Sequence, residues 1–217
     1  MKDNNILIIT GGHINEEFLK KQIAKKVYSV IIVADCGLVS ADRLGVIPDH
    51  IVGDFDSVSE KLLEKYRQTS IEINRFPREK DKTDTEIAIE LALMHDPTNL
   101  DIFGATGSRL DHTVANLHLL MLPLQLGIDA NLLDEHNKIY LKKEGFTINK
   151  ARQHGSYISL MPFCAPVKGV VLEGFKYPLR EVDLNMGSSL GISNEIVDEI
   201  ARVEFSGGIL LVIESLD

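Results

Sequence analysis

For roughly its first 130 residues the chain alternates short runs of branched apolar residues with segments of helical periodicity, which is the signature of a parallel α/β sheet. Apolar runs at 6–10, 30–34, 51–53, 71–76 and 100–103 read as strands, the fourth ended by Pro77. Helical patterns follow them at 16–25, 41–44, 60–67, 83–94 and 111–122. Ser57 or Ser59 is placed to cap the third of these helices, and Pro123 should kink or end the last. A strand–helix repeat of this kind gathers the strand C-termini on one edge of the sheet, where open α/β folds bind their ligands.

Beyond Gly127 the pattern changes. Short alternating segments at 130–133, 138–141, 157–161, 167–172, 199–205 and 209–213 are separated by Gly, Pro and Asn, without long helices. They read as a small all-β sandwich or half-barrel. The expected architecture is an α/β N-terminal domain with a mostly parallel sheet over residues 1–128, followed by a small all-β sandwich domain over 129–217.

A chain of 217 residues suffices for two such cores. With 32 acidic against 23 basic residues the net charge is −9, which argues against a general nucleic-acid binder. A nucleotide substrate still fits, because a divalent cation and a few local bases can invert the field inside a cleft. No apolar run approaches the roughly 20 residues of a membrane helix. The first five residues lead into an apolar run too short for a signal peptide, so a cytoplasmic location is expected. Cys36 and Cys164 lie far apart without a CxxC pattern and are expected as free thiols.

Residues able to carry chemistry gather at the predicted strand ends. Gly53-Asp54-Phe55-Asp56-Ser57 closes the third strand. On extended backbone the side chains of Asp54 and Asp56 point the same way, so both carboxylates can serve one hard cation; they can equally cap the next helix. In Lys80-Asp81-Lys82-Thr83-Asp84-Thr85-Glu86, Thr83 and Glu86 form a capping box with Asp84 in the first turn. A helix N-terminus flanked by Lys and Asp also suits phosphate oxygens and their metal.

Gly104-Ala105-Thr106-Gly107-Ser108-Arg109-Leu110-Asp111-His112 offers two glycines for close approach of a phosphate and Arg109 to fork onto its oxygens. It lacks the GK[ST] ending of a Walker A loop. Asp111 can cap the helix or join a metal, and His112 reads as structural. Asp35, with Cys36 and Gly37, stands at the end of the second strand as either a turn residue or a further acid facing the crevice. Acids at four strand-to-helix junctions on one sheet edge, with bases and glycines among them, point together to a magnesium–nucleotide site.

In order and spacing, GDFDS at 53–57, KDKTDTE at 80–86 and GATGSRLDH at 104–112 resemble the motifs of the thiamin pyrophosphokinase family. Ser193-Asn194-Glu195 is similar to the S-N-E segment of its bacterial members. The likeness covers nearly the whole chain. It implies transfer of the diphosphate of ATP to thiamin, the thiamin hydroxyl attacking the β-phosphorus with AMP leaving. It implies Mg2+, with Asp54, Asp56, Asp84 and Asp111 as the metal and phosphate acids and Arg109 as a catalytic residue near the triphosphate that neutralises developing charge.

Asp81, Lys82, Thr83, Gly104, Thr106 and Gly107 would then lie near the triphosphate, Asp35 and Gly37 in the same crevice, and Ser193 and Asn194 against thiamin. Residues 1–128 would bind ATP and Mg2+ and residues 129–217 thiamin, in a homodimer with its active site between the α/β domain of one subunit and the β domain of the other. Two departures stand out. Ser108 replaces the second glycine of the frequent GATGGR loop, which requires a negative φ there, and the chain has no Trp to stack on thiamin. The rival readings are a metal-dependent nucleotide phosphohydrolase and a non-catalytic nucleotide or thiamin sensor.

Overall fold

A computed structural model describes residues 3–75 and 81–217 of the chain, which divides into two units, Met1–Glu135 and His136–Asp217. The first unit contains β1 (Asn5–Ile9), α1 (Glu16–Ile23), β2 (Val30–Ala34), α2 (Gly37–Leu44), β3 (His50–Gly53), α3 (Glu60–Arg67) and β4 (Glu72–Arg75). It continues through α4 (Asp84–Leu93), β5 (Asn99–Phe103), α5 (Leu110–Leu119), α6 (Met121–Gln125) and β6 (Asp129–Leu133). These strands all run parallel, in the order β6-β5-β1-β2-β3-β4.

The near-continuous apolar runs explain that arrangement. Successive strand residues face opposite sides of a sheet, yet Ile6, Leu7, Ile8 and Ile9 are all buried, so β1 is covered on both faces. From β1 the chain steps outward to β4, then returns to the other side of β1 for β5 and β6. The winding reverses between β1 and β5, and a crevice at the strand C-termini follows from that reversal. Helices begin where a short polar side chain takes up a free backbone N–H: Asn15 for α1, Ser59 for α3 and Thr83 for α4.

The helix expected over 111–122 is two helices instead. Pro123 sits in the first turn of α6, where its missing N–H has no intrahelical acceptor to serve, so the chain restarts around it. Of the expected fourth strand the described part is Glu72–Arg75, and Phe76, Pro77 and Lys80 lie outside the described residues. The segment over 129–133 does not belong to the second unit: β6 pairs in parallel with β5, and the units divide after Glu135. A five-residue alternating run reads alike in either kind of sheet, and its pairing partner alone decides where it goes.

The second unit holds β7 (Asn137–Lys142), β8 (Phe146–Asn149), β9 (Tyr157–Pro162), β10 (Val167–Glu173), β11 (Leu179–Leu184), β12 (Asn194–Glu195), β13 (Ile200–Glu204) and β14 (Leu210–Ser215). They form two antiparallel sets, β12-β9-β14-β7 and β11-β10-β13-β8. One core joins the sets, with Tyr140, Leu160 and Val212 from the first and Leu172, Leu184 and Val203 from the second. In β13, Ala201 and Val203 point in while Ile200, Arg202 and Glu204 point out, the alternation of a sandwich strand. Sequence periodicity missed β8, β11 and β12. The first and last are short, and β11 is an edge strand carrying Arg180, Glu181 and Asp183. Among the described residues no helix is long and apolar enough to cross a membrane. Cys36 and Cys164 are free.

A charged cluster is built into the first core. Asp101, 5% exposed on β5, accepts at one oxygen from Lys26 Nζ (2.7 Å) and the Tyr28 hydroxyl (2.9 Å). Its other oxygen accepts from Asn99 (3.1 Å) and Asn131 (3.0 Å). Burial alone would raise the Asp101 carboxyl, but these donors and the Lys26 charge hold it below the usual carboxylate range. A depressed acid adds stability that is present above its unfolded pKa of about 4 and lost as pH falls through the folded value. Asp101→Ala should cost about 2–4 kcal/mol in urea unfolding at pH 7, and the gap from wild type should narrow as pH is lowered below about 4.

Candidate active site at the strand C-termini

The loops that follow β1, β2, β3 and β5, with the first turn of α4, carry the acids and glycines singled out from sequence. Asp35, the residue after β2, has φ 47° and anchors its N–H on Val52 O at 2.9 Å. Gly53 ends β3 at φ 150° because a Cβ there would stand 3.2 Å from the Asp35 backbone. The chain then turns back on itself: Phe55 takes φ 63°, and the Asp56 N–H donates to Asp54 Oδ1 at 3.0 Å. Carboxylate oxygens of Asp35, Asp54 and Asp56 lie within 4.8 Å of one another. Asp54 and Asp56 therefore meet through a left-handed bend at Phe55, not through the side-to-side alternation of extended backbone.

That convergence has an electrostatic signature. Asp35 Oδ1 is buried and has no hydrogen-bond partner among the described residues. Burial, followed by the negative charges of Asp84, Asp54 and Asp56, pushes the Asp35 carboxyl above its ordinary range. Oxygen donors in mutual repulsion, one of them buried and unsatisfied, match a hard divalent cation. Of the four acids that the sequence offers for a metal, Asp54 and Asp56 stand in the trio and Asp84 and Asp111 do not, while Asp35 completes it. Asp84, at the start of α4, is near enough to act on Asp35 without being one of the three.

Helix α4 reaches this edge through a buried contact between the hydroxyls of Thr85 and Thr10, 2.9 Å apart, at the end of β1. Thr83 is the cap, its hydroxyl accepting from the Glu86 N–H at 3.2 Å. Asp81 is exposed, and Lys82 is paired with Glu90 at 2.6 Å along the same helix. Gly37 packs α2 against β1: a Cβ would fall 2.5 Å from Ile9 O.

The glycine loop after β5 is fitted against the loop after β1. Gly12 and His13 donate their N–H groups to Gly104 O (2.7 Å) and Thr106 O (2.8 Å), and a Cβ on Gly12 would come within 2.4 Å of both carbonyls. Gly104 adopts φ 73° with Thr10 O directly beneath it. Gly107 lies beside the His13 N–H, and Ser108 is outside the left-handed region, so serine is unstrained there. Arg109 makes a forked contact with Asp111, 2.6 and 3.3 Å, with both side chains exposed. Sequence reasoning missed Thr106–Asp134 (2.8 Å) and His13–Glu135 (3.1 Å), which tie the end of β6 to the same edge. Acids directly after an apolar run were the available signal.

Comparison with known proteins matches residues 21–132 to the family model described as thiamin pyrophosphokinase, catalytic domain, and residues 145–210 to thiamin pyrophosphokinase, vitamin B1 binding domain. A thiamine pyrophosphokinase of Bacillus subtilis (strain 168) is 34% identical over 190 residues, 88% of this chain and 89% of that protein. The chain belongs to the thiamin pyrophosphokinase family. The fold agrees as well. A crystal structure of thiamine pyrophosphokinase from Bacillus subtilis superposes with a TM-score of 0.88 at 32% identity, covering 99% of this chain and 100% of that one. One of thiamin pyrophosphokinase from Geobacillus thermodenitrificans gives 0.84 at 31%, covering 98% of each.

In the second unit, which carries the family's vitamin-binding match, Asn194 is buried and its amide is bonded to backbone at both its oxygen and its nitrogen. It accepts from the N–H groups of Tyr177 (3.0 Å) and Glu195 (2.9 Å) and donates to Tyr177 O (2.8 Å). Ser193 beside it is exposed at φ 53°, held through its N–H on Ser159 Oγ at 3.0 Å.

The acid trio generates a prediction of its own. Removing one like charge relieves repulsion in the empty site, so Asp35→Asn should raise the stability of the protein in EDTA by about 1 kcal/mol after solvent screening. The same variant should lose most of the thermal stabilisation that Mg2+ gives the wild type. Melting curves with and without Mg2+ test both halves, and an unchanged response to Mg2+ removes Asp35 from the site.

Proposed function

We propose that the chain transfers the diphosphate of ATP to the hydroxyl of thiamin, releasing AMP, at a Mg2+ site held by Asp35, Asp54 and Asp56 with Asp84 alongside. The convergence of three carboxylates within 4.8 Å at a parallel-sheet edge carries this reading, and membership of the thiamin pyrophosphokinase family supports it. Asp35, Asp54 and Asp56 would hold Mg2+, which would supply positive charge against the charge that builds during transfer.

The chain's own residues then do the positioning. The N-terminus of α4, capped by Thr83 and docked through Thr85, presents backbone donors toward phosphate oxygens. Gly104 seats the loop tightly on Thr10 O, the bare backbone of Gly107 leaves room for a phosphate, and Thr106 is held by Asp134. Arg109 exchanges Asp111 for a phosphate, a small loss because exposed ion pairs are weak. Asp81 and Lys82 border the approach, with Lys82 drawn toward Glu90. Asp111 acts by orienting Arg109. Asn194 ties the strand end next to Ser193 to the Tyr177 backbone, leaving the Ser193 hydroxyl to meet thiamin. We also infer a homodimer in which the α/β unit of one subunit and the β unit of the other share a site, and a cytoplasmic location.

Two measurements test this. Asp54→Asn or Asp56→Asn should lower AMP and thiamin diphosphate formation by at least about 1,000-fold, followed by chromatography, with the circular dichroism spectrum unchanged. Phosphate release from ATP without thiamin would move the assignment to a phosphohydrolase. Light scattering should give twice the chain mass of 24.1 kDa; a monomer at assay concentration with full turnover would remove the shared site.

A further inference from the structure

We propose that Phe55 is a positioning residue for the metal site: burial of its ring holds its own backbone left-handed, and that bend brings Asp54 and Asp56 to one point with Asp35. This rests on the magnesium reading above and assigns the feature that shapes the site. Phe55 is 5% exposed and packs in the first-unit core with Leu7, Ile9, Ile51, Val58 and Leu63. Its φ of 63° is rare for a bulky side chain.

The bend shortens the reach. Two residues of pleated strand advance about 6.6 Å, a gap that the two side chains would otherwise have to close by leaning toward each other. With Phe55 left-handed, the Asp56 N–H folds back onto Asp54 Oδ1 at 3.0 Å, and the Val58 N–H closes onto Phe55 O at 3.3 Å. Gly53 completes the fit, since a Cβ there would already touch the Phe55 ring at 3.4 Å. Ring, bend and acids are one unit.

Isomeric substitutions separate the bend from simple core filling. Leucine and isoleucine have the same volume and apolarity, but the branched Cβ of isoleucine resists positive φ. Binding of Mn2+ to the nucleotide-free protein, read by electron paramagnetic resonance, should be within about threefold of wild type for Phe55→Leu and at least about tenfold weaker for Phe55→Ile. The KM for Mg–ATP should follow the same order while the KM for thiamin stays put. If Phe55→Ile does not fold, Phe55→Met against Phe55→Val carries the same contrast. Equal Mn2+ affinity in the branched and unbranched variants, beside a wild type that binds, overturns the role of Phe55 alone. Absence of saturable Mn2+ binding by the wild type overturns the metal site and this role with it.

Discussion

Mutual repulsion among carboxylates is the condition the rest of this sheet edge is built around. Three side chains whose oxygens lie within 4.8 Å would separate if their backbones were free to move. They are not free, because each is placed by the end of a strand whose hydrogen bonds and apolar residues belong to a buried core. The cost falls on Asp35, where burial and its acidic neighbours oppose ionisation. Local instability is kept here by global stability elsewhere, the arrangement expected where a ligand supplies the missing term.

Backbone strain is managed in the same way. A left-handed residue other than glycine costs about 1–2 kcal/mol, and burying a phenylalanine side chain contributes about 1.5–3 kcal/mol. At Phe55 the second figure covers the first, so a bulky residue can hold a conformation that would otherwise call for glycine. Glycine itself could adopt the bend, but without an anchor it would also allow others. Where no side chain has room, as at Gly12 and Gly104, the chain uses glycine and presses backbone directly on backbone.

Much of this was legible from residue order. Apolar runs located the strands of the parallel sheet, and the rule that ligands sit at strand C-termini selected Asp35, Asp54, Asp56 and Asp84. The reason first given for Asp54 and Asp56 was incomplete, since nothing in the letters GDFDS reveals a positive φ at a phenylalanine. Asp134 and Glu135 were passed over because β6 looked like a strand of the second unit, so its end was not counted as part of the edge. Ser193 and Asn194 share one motif, and nothing in those letters tells that the Asn194 amide is bonded to the Tyr177 and Glu195 backbone. Those distinctions depend on tertiary pairing, which local sequence does not contain.

The charge distribution also sets the order of events at this edge. A polyphosphate meeting Asp35, Asp54, Asp56 and Asp84 without a cation faces repulsion at short range, while Lys82 is engaged by Glu90 and Arg109 by Asp111. With a cation in place the field at the trio is largely cancelled, and the exposed Arg109–Asp111 pair can open to a phosphate because its partner acid returns to water. The acidic surface, at net charge −9, works in the same direction by concentrating cations around the protein. On the proposed reading, cation and polyphosphate would arrive together or in that order, given where four carboxylates and one guanidinium sit.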